Sequence, residues 1–180
     1  MSSQTQAQYH SVIAKCRGIF ARKNHDYGTS WRIMRLPSVT DTIFIKAQRI
    51  RTIEQNKSMR INEGIASEFM GIVNYCIIAL IQMEIGDDWE KTLTSDQLLQ
   101  TYDREVETTF KLMMDKNQDC GEAWRDMRVS TFTDMILMRI LRIRQIEDND
   151  GKTLESEGVD ANFRDILNYS VFALIRLQGK

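Results

Sequence analysis

A single proline, Pro37, and nine glycines serve 180 residues. So few chain breakers leave long stretches free to coil, and Leu, Ile, Met, Arg, Glu and Gln fill them, which favours helix. No run alternates apolar and polar residues over the length of a strand. Cysteine is sparse. Cys16, Cys76 and Cys120 are odd in number and far apart, so neither a disulfide framework nor a zinc spacing is present, and a reduced, cytoplasmic setting is expected. Charge of neither sign prevails. A formal net charge of -1 argues against nucleic acid held by bulk electrostatics, although a local basic face stays open. The start, Met1 to Gln6, has no basic region followed by an apolar run, so no signal peptide is expected. The most apolar segment, Ile72 to Ile81, is shorter than the roughly 20 residues of a bilayer crossing, so no membrane partner is expected. A Gly-rich phosphate loop, a nucleophile elbow and a Cys-based site are all missing.

What is present is written twice. Lys23-Asn24-His25-Asp26-Tyr27-Gly28-Thr29-Ser30-Trp31-Arg32-Ile33-Met34-Arg35 returns as Lys116-Asn117-Gln118-Asp119-Cys120-Gly121-Glu122-Ala123-Trp124-Arg125-Asp126-Met127-Arg128, at an offset of 93 residues. About half of the positions from Lys23 to Glu54 are identical in the second copy. Helical periodicity alone would repeat apolar positions, not this polar pattern. One inserted residue then moves the offset to 94, so that Asn168-Tyr169 repeats Asn74-Tyr75. The unit is too long for common helical solenoids of about 34 to 47 residues. Two copies imply a fused homodimer with an isologous interface. The expected fold is all-α: two tandem three-helix repeats, 1–92 and 93–180, packed as a pseudo-twofold bundle. A further homo-oligomer stays open.

In chain order, the apolar stripe Tyr9, Val12, Ile13, Cys16, Ile19 and Phe20 predicts a helix over Gln6 to Lys23. A second helix should start with Ser38 as its N-cap, matched by Thr131, and run to Glu54 or Asn56. A polar bend, Gln55 to Asn62, precedes a third helix from Glu63 to Glu84. The linker Gly86 to Lys91 leads to a fourth helix capped by Thr94 or Ser95, with Gln97 in its first turn.

Three features bear on chemistry. Lys-Asn-x-Asp-x-Gly reads either as a loop presenting a lysine and a carboxylate to phosphate or metal, or as a helix C-terminus closed by glycine. Glu63 and Asn74, like Glu157 and Asn168, lie 11 residues apart, close to three helical turns. In the second copy Asp160 joins that face and Asp165 lies one turn before Asn168. Stacked carboxylates of this kind hold Mg²⁺ in helical bundles, or else form a solvated polar stripe. The basic rows Lys46, Arg49, Arg51 and Arg139, Arg142, Arg144 either serve phosphates or pair with Glu54 and Glu147, three residues on from Arg51 and Arg144. His25 becomes Gln118 and His10 does not recur, so a paired catalytic histidine is not expected.

Asp-Tyr-Gly-x-Ser-Trp-Arg, a basic helix, then an acidic helix carrying Asp-x-x-Asn-Tyr, resembles the nucleotide modification associated domain 1 family. The resemblance covers nearly the whole chain, once per half. Its helical pattern is similar to that of the MazG-type all-α nucleotide pyrophosphohydrolases, although their paired Glu-x-x-Glu helix is missing. The resemblance implies a protein that handles a nucleotide or modified nucleotide, either as a Mg²⁺-dependent pyrophosphohydrolase or as a non-catalytic binding module for a nucleotide or protein partner. It points to Asp26, Asp119 and Asp165 as catalytic carboxylates, and to Glu157, Asp160 and Asp165 as metal ligands. Lys23, Tyr27, Trp31, Arg32, Lys116, Trp124, Arg125, Asn168 and Tyr169 would contact substrate. The copies differ where it matters: Cys120 stands at the place of Tyr27, and Gly71 at the place of Asp165. A composite site is therefore expected, joining the loop of one half to the acidic helix of the other.

Overall fold

The computed structural model describes residues 3–56 and 61–179, with side chains of the second stretch described from Gly64 onward. Among the described residues six helices follow in order: α1 (Ser3–Tyr27), α2 (Leu36–Asn56), α3 (Ile61–Ile85), α4 (Ser95–Cys120), α5 (Val129–Asp148) and α6 (Val159–Gln178). Short 3₁₀ turns, Ser30–Ile33 and Ala123–Asp126, separate α1 from α2 and α4 from α5. The all-α expectation holds among the described residues, and the two repeats have the same element order. Of the bend expected at Gln55 to Asn62, residues 57–60 lie outside the described residues, while Gln55 and Asn56 still belong to α2 and Ile61 and Asn62 already belong to α3.

The repeated Lys-Asn-x-Asp-x-Gly is a helix end, not a loop. Gly28 and Gly121 take left-handed backbone, φ +65° and +58°. Each donates its N–H one turn back, to the Asn24 and Asn117 carbonyls at 2.8 and 3.0 Å. A Cβ is strained in that conformation, which accounts for glycine in both copies. Thr94 caps α4 through a capping box: its hydroxyl accepts from Gln97 N at 3.1 Å and its own N–H donates to Gln97 Oε1 at 3.0 Å. Ser38 and Thr131 are not caps. The helices begin two residues earlier, because Met34 and Met127 leave the 3₁₀ turns in extended backbone and Leu36 and Val129 already coil.

Helices α2, α3, α6 and α5 pack in a ring of four, and α1 and α4 both rest on α3 and α6. The bonds between halves are reciprocal, as an isologous contact requires. Arg51 meets Asp134 at 2.7 Å and Arg144 meets Asp41 at 2.9 Å. Thr133 donates to Glu54 and Thr40 donates to Glu147, at 3.3 and 3.1 Å. These four contacts replace the expected Arg51–Glu54 and Arg144–Glu147 pairs. The crossing of α2 and α5 sets an aspartate in the second turn of each helix beside an arginine in the later half of the other. Burial raises the carboxyl pKa of Glu54 and of Glu147.

A second reciprocal pair lies deeper. The Tyr9 hydroxyl donates to Asn168 Oδ1 at 2.7 Å, and Tyr102 donates to Asn74 Oδ1 at 2.8 Å. Each asparagine also donates to a carbonyl of the first helix of its own half, Asn74 to Cys16 O at 3.0 Å and Asn168 to Thr109 O at 3.3 Å. The first helix of each half is thus tied to the third helix of both. One apolar core draws on all six helices. Helices α3 and α6 lie at its centre, and the α3 stretch Gly64–Ile85, with a mean hydropathy of 1.7, is longer than the expected apolar run and meets the length and composition of a bilayer crossing. Phe69, Ile72, Val73, Cys76 and Ile77 are fully buried in that core.

Candidate functional site

In the first half a cleft of about 320 Å³ opens between the end of α1, the 3₁₀ turn, α2 and the middle of α3. Helix α1 runs one turn beyond the expected Lys23, so Lys23, Asn24 and Tyr27 reach the cleft from its last turns. The 3₁₀ turn contributes Ser30 and Trp31, α2 contributes Lys46, and α3 contributes Ser67, Glu68, Gly71 and Tyr75. Phe20 lies beneath Trp31, with ring centroids 6.4 Å apart. Lys46 Nζ is 3.7 Å from Glu68 Oε2 and 5.6 Å from the Tyr75 ring centroid. Glu68 gives its other oxygen to Arg49 at 3.0 Å. Lys23 has no ion pair among the described residues. Burial, then the neighbouring Tyr27, raises the Tyr75 phenol pKa. The cleft is therefore a basic mouth over aromatic walls.

At the same place in the second half the chain supplies its own groups. Asp165, whose side chain is 5% exposed, receives Lys116 Nζ at 2.8 Å and the Arg139 guanidinium at 3.2 Å. Phe172, at the position of Ile78, stacks on Trp124 with centroids 4.3 Å apart and planes 8° from parallel. Arg164, at the position of Met70, is bound to Glu105 at 2.9 Å and to the Thr109 hydroxyl at 2.9 Å.

Of the expected site residues, Lys23, Tyr27 and Trp31 meet in the cleft. Asp26 and Asp119 are exposed on the last turns of their helices, and Asp26 is outside the cleft lining. Arg32 is buried at 5% exposure and holds the chain together. It donates to Gln82 Oε1, to Gly86 O at 3.1 Å and to Asp88 O at 2.6 Å. Arg125 lies over its neighbour Trp124 and donates to Thr5 and Gln8 of α1, at 2.6 and 2.8 Å. Asn168 is spent on Tyr9 and Thr109, and Tyr169 lies half-buried beside Phe132.

The expected composite site does not form, because Lys116, Arg139 and Asp165 all belong to one half. Nor do Glu157, Asp160 and Asp165 make a magnesium site. Helix α6 starts at Val159, so Glu157 precedes it and does not share the helical face assumed from spacing. Glu157 and Asp160 are exposed, whereas Asp165 turns inward to two cations. Among the described residues no group of three or more His, Cys, Asp or Glu is placed to hold a metal ion. The side chain of Glu63 lies outside the described residues.

Phe20, Glu68 and Tyr75 were not singled out as site residues from the sequence. The signal that points to their cleft is Gly71, the small residue facing Asp165 in the alignment of the two copies. Cysteine chemistry has little place here. Cys16 and Cys76 are buried, and burial pushes the Cys16 thiol up to about 12 and raises Cys76 well above its ordinary value. Only thiolates react readily. A maleimide should therefore label Cys120 alone in the folded protein and all three cysteines in denaturant, as counted by intact-mass measurement.

A family model described as nucleotide modification associated domain 1 matches residues 23–83 and again residues 116–177. The two matches fall on corresponding parts of the two halves, from the end of the first helix to the end of the third. No curated protein and no solved structure matches the chain. The likeness to MazG-type enzymes has no match behind it.

Proposed function

The chain belongs to the nucleotide modification associated domain 1 family in two copies, and from that premise we propose that it is a nucleotide-binding module whose working site is the first-half cleft. The family description ties such domains to nucleotides. The observation that carries the reading is the pairing of Lys23 and Lys46 with Trp31, Tyr27 and Tyr75 in one cleft of about 320 Å³. Lysine ammonium groups serve phosphate as point charges. An aromatic wall offers a base a stacking surface worth about 1–3 kcal/mol. The volume lies at the small end of ligand pockets, about 300–1,000 Å³, and suits a mononucleotide better than a polymer. Asn24, Ser30 and Ser67 supply polar groups that fix orientation.

Titration calorimetry with the ribonucleosides and their 5′-mono-, di- and triphosphates tests this. A nucleotide should bind at least tenfold more tightly than its nucleoside, and Tyr27→Ala, which removes an exposed ring of the cleft wall, should weaken it about tenfold, in line with the loss of one stack. Pyrophosphate release with Mg²⁺ should stay at background, since Glu68 is the single carboxylate among the described lining residues and is paired with Lys46 and Arg49. Absence of binding by every nucleotide at millimolar concentration would overturn the reading.

A further inference from the structure

We propose that Asp165 is a built-in anion occupying the second half's copy of the site, and that the ligand's anionic group takes the matching place beside Gly71 in the first half. The chain would then bind one ligand, not two. This rests on the nucleotide reading only for the ligand's identity; the anion seat stands on geometry.

The two halves act as each other's comparison. Lys23 corresponds to Lys116, Lys46 to Arg139 and Gly71 to Asp165. In the second half the two cations close on the carboxylate at 2.8 and 3.2 Å. In the first half the two cations remain and the carboxylate is gone. Glu68 does not replace it. It stands three residues earlier, engages Arg49 at 3.0 Å and leaves Lys46 at a looser 3.7 Å. A Cβ built on Gly71 would come within 3.1 Å of the Lys46 Cδ, Cε and Nζ, so the lysine lies directly over the bare glycine. Lys23, meanwhile, is without a carboxylate partner among the described residues. Two cations at a position that lacks the carboxylate of its sister copy define a seat for a carboxylate-sized or phosphate-sized anion, with the flexible Lys46 tail over Gly71 as the part that shifts to admit it.

The experiment compares the full chain with Gly71→Asp and Gly71→Asn by calorimetry. The probes are the ribonucleoside 5′-monophosphates and inorganic pyrophosphate, the latter as an anion without a base. One equivalent per chain is expected. Gly71→Asp should weaken binding at least tenfold, because its carboxylate would take the lysines as Asp165 does. Gly71→Asn, of equal size and no charge, should weaken it no more than about threefold. The strain at Gly71 falls on a flexible lysine tail; should Gly71→Asp nonetheless fail to fold, Lys23→Met and Lys46→Met each carry the test with an expected loss of at least fivefold. Equal losses for Asp and Asn, two equivalents per chain, or unchanged affinity in both lysine variants would overturn the inference. Nucleotide binding insensitive to all of these would leave the nucleotide reading standing and this one dead. Pyrophosphate binding that Gly71→Asp removes, with no added affinity for any nucleotide, would do the reverse.

Discussion

Arg32→Met should lower the unfolding free energy by about 3 kcal/mol, whereas Arg125→Met, the same change in the sister copy, should cost about 1 kcal/mol. The two arginines occupy one position of the repeat, and only their surroundings differ. Arg32 satisfies the side-chain oxygen of Gln82 and the carbonyls of Gly86 and Asp88, all at the end of α3 and the start of the linker. Its removal strands acceptors in a buried setting, at about 1–3 kcal/mol for each one that water cannot reach. Gln82 adds to the knot by donating to the Arg32 and Met34 carbonyls at 3.1 and 2.8 Å. Arg125 has no such post, because Arg176 stands where Gln82 would be and donates to the Met127 carbonyl at 3.3 Å instead. Arg125 turns instead to α1, to Glu122 at 3.5 Å and to the face of Trp124, contacts worth about 1 kcal/mol near the surface. Urea unfolding of both variants measures the difference. For a chain of this size about 3 kcal/mol is a fall in Tm of roughly 6–12 °C. Equal losses in the two variants would mean that Arg32 holds no special place.

That contrast marks how far the sequence could be read. The duplication, the helices and the glycine helix ends were legible, because polar identities at fixed spacing and a scarcity of breakers are local signals. Function was less so. A repeat makes Arg32 and Arg125 look alike, and their separate fates depend on Gln82 and Arg176, residues of a different helix. Asn74 and Asn168 were legible as matched polar residues on a mostly apolar face, but a ligand was read where the structure has a tyrosine from the opposite half. Glu157 was placed on a helical face by counting turns, which fails once the helix begins after it at Val159. The one difference that mattered for the site, Gly71 against Asp165, was visible in the aligned copies. Its consequence was not, since only packing reveals that Lys116 and Arg139 converge on the carboxylate.

The asparagine–tyrosine pairs give the sharpest test of the twofold frame. Asn74→Leu and Asn168→Leu should each cost about 2–4 kcal/mol, and by similar amounts. Each change leaves a buried tyrosine hydroxyl and a backbone carbonyl without their partner, with an unsatisfied group costing about 1–3 kcal/mol. Tyr9 and Tyr102 are fully buried, so water offers no substitute. Burial also raises both phenol pKa values, so the hydroxyls stay protonated donors. Tyr9→Phe made in the Asn168→Leu background should restore about 1 kcal/mol, because removing both ends of a buried hydrogen bond costs less than removing one. Tyr9→Phe in the Asn74→Leu background should restore nothing, since Asn74 serves Tyr102. Double-mutant cycles read this crossing directly. Rescue by the tyrosine of the same half would mean that each tyrosine answers to the asparagine of its own repeat, and the crossed pairing of Tyr9 with Asn168 and of Tyr102 with Asn74 would have to be abandoned.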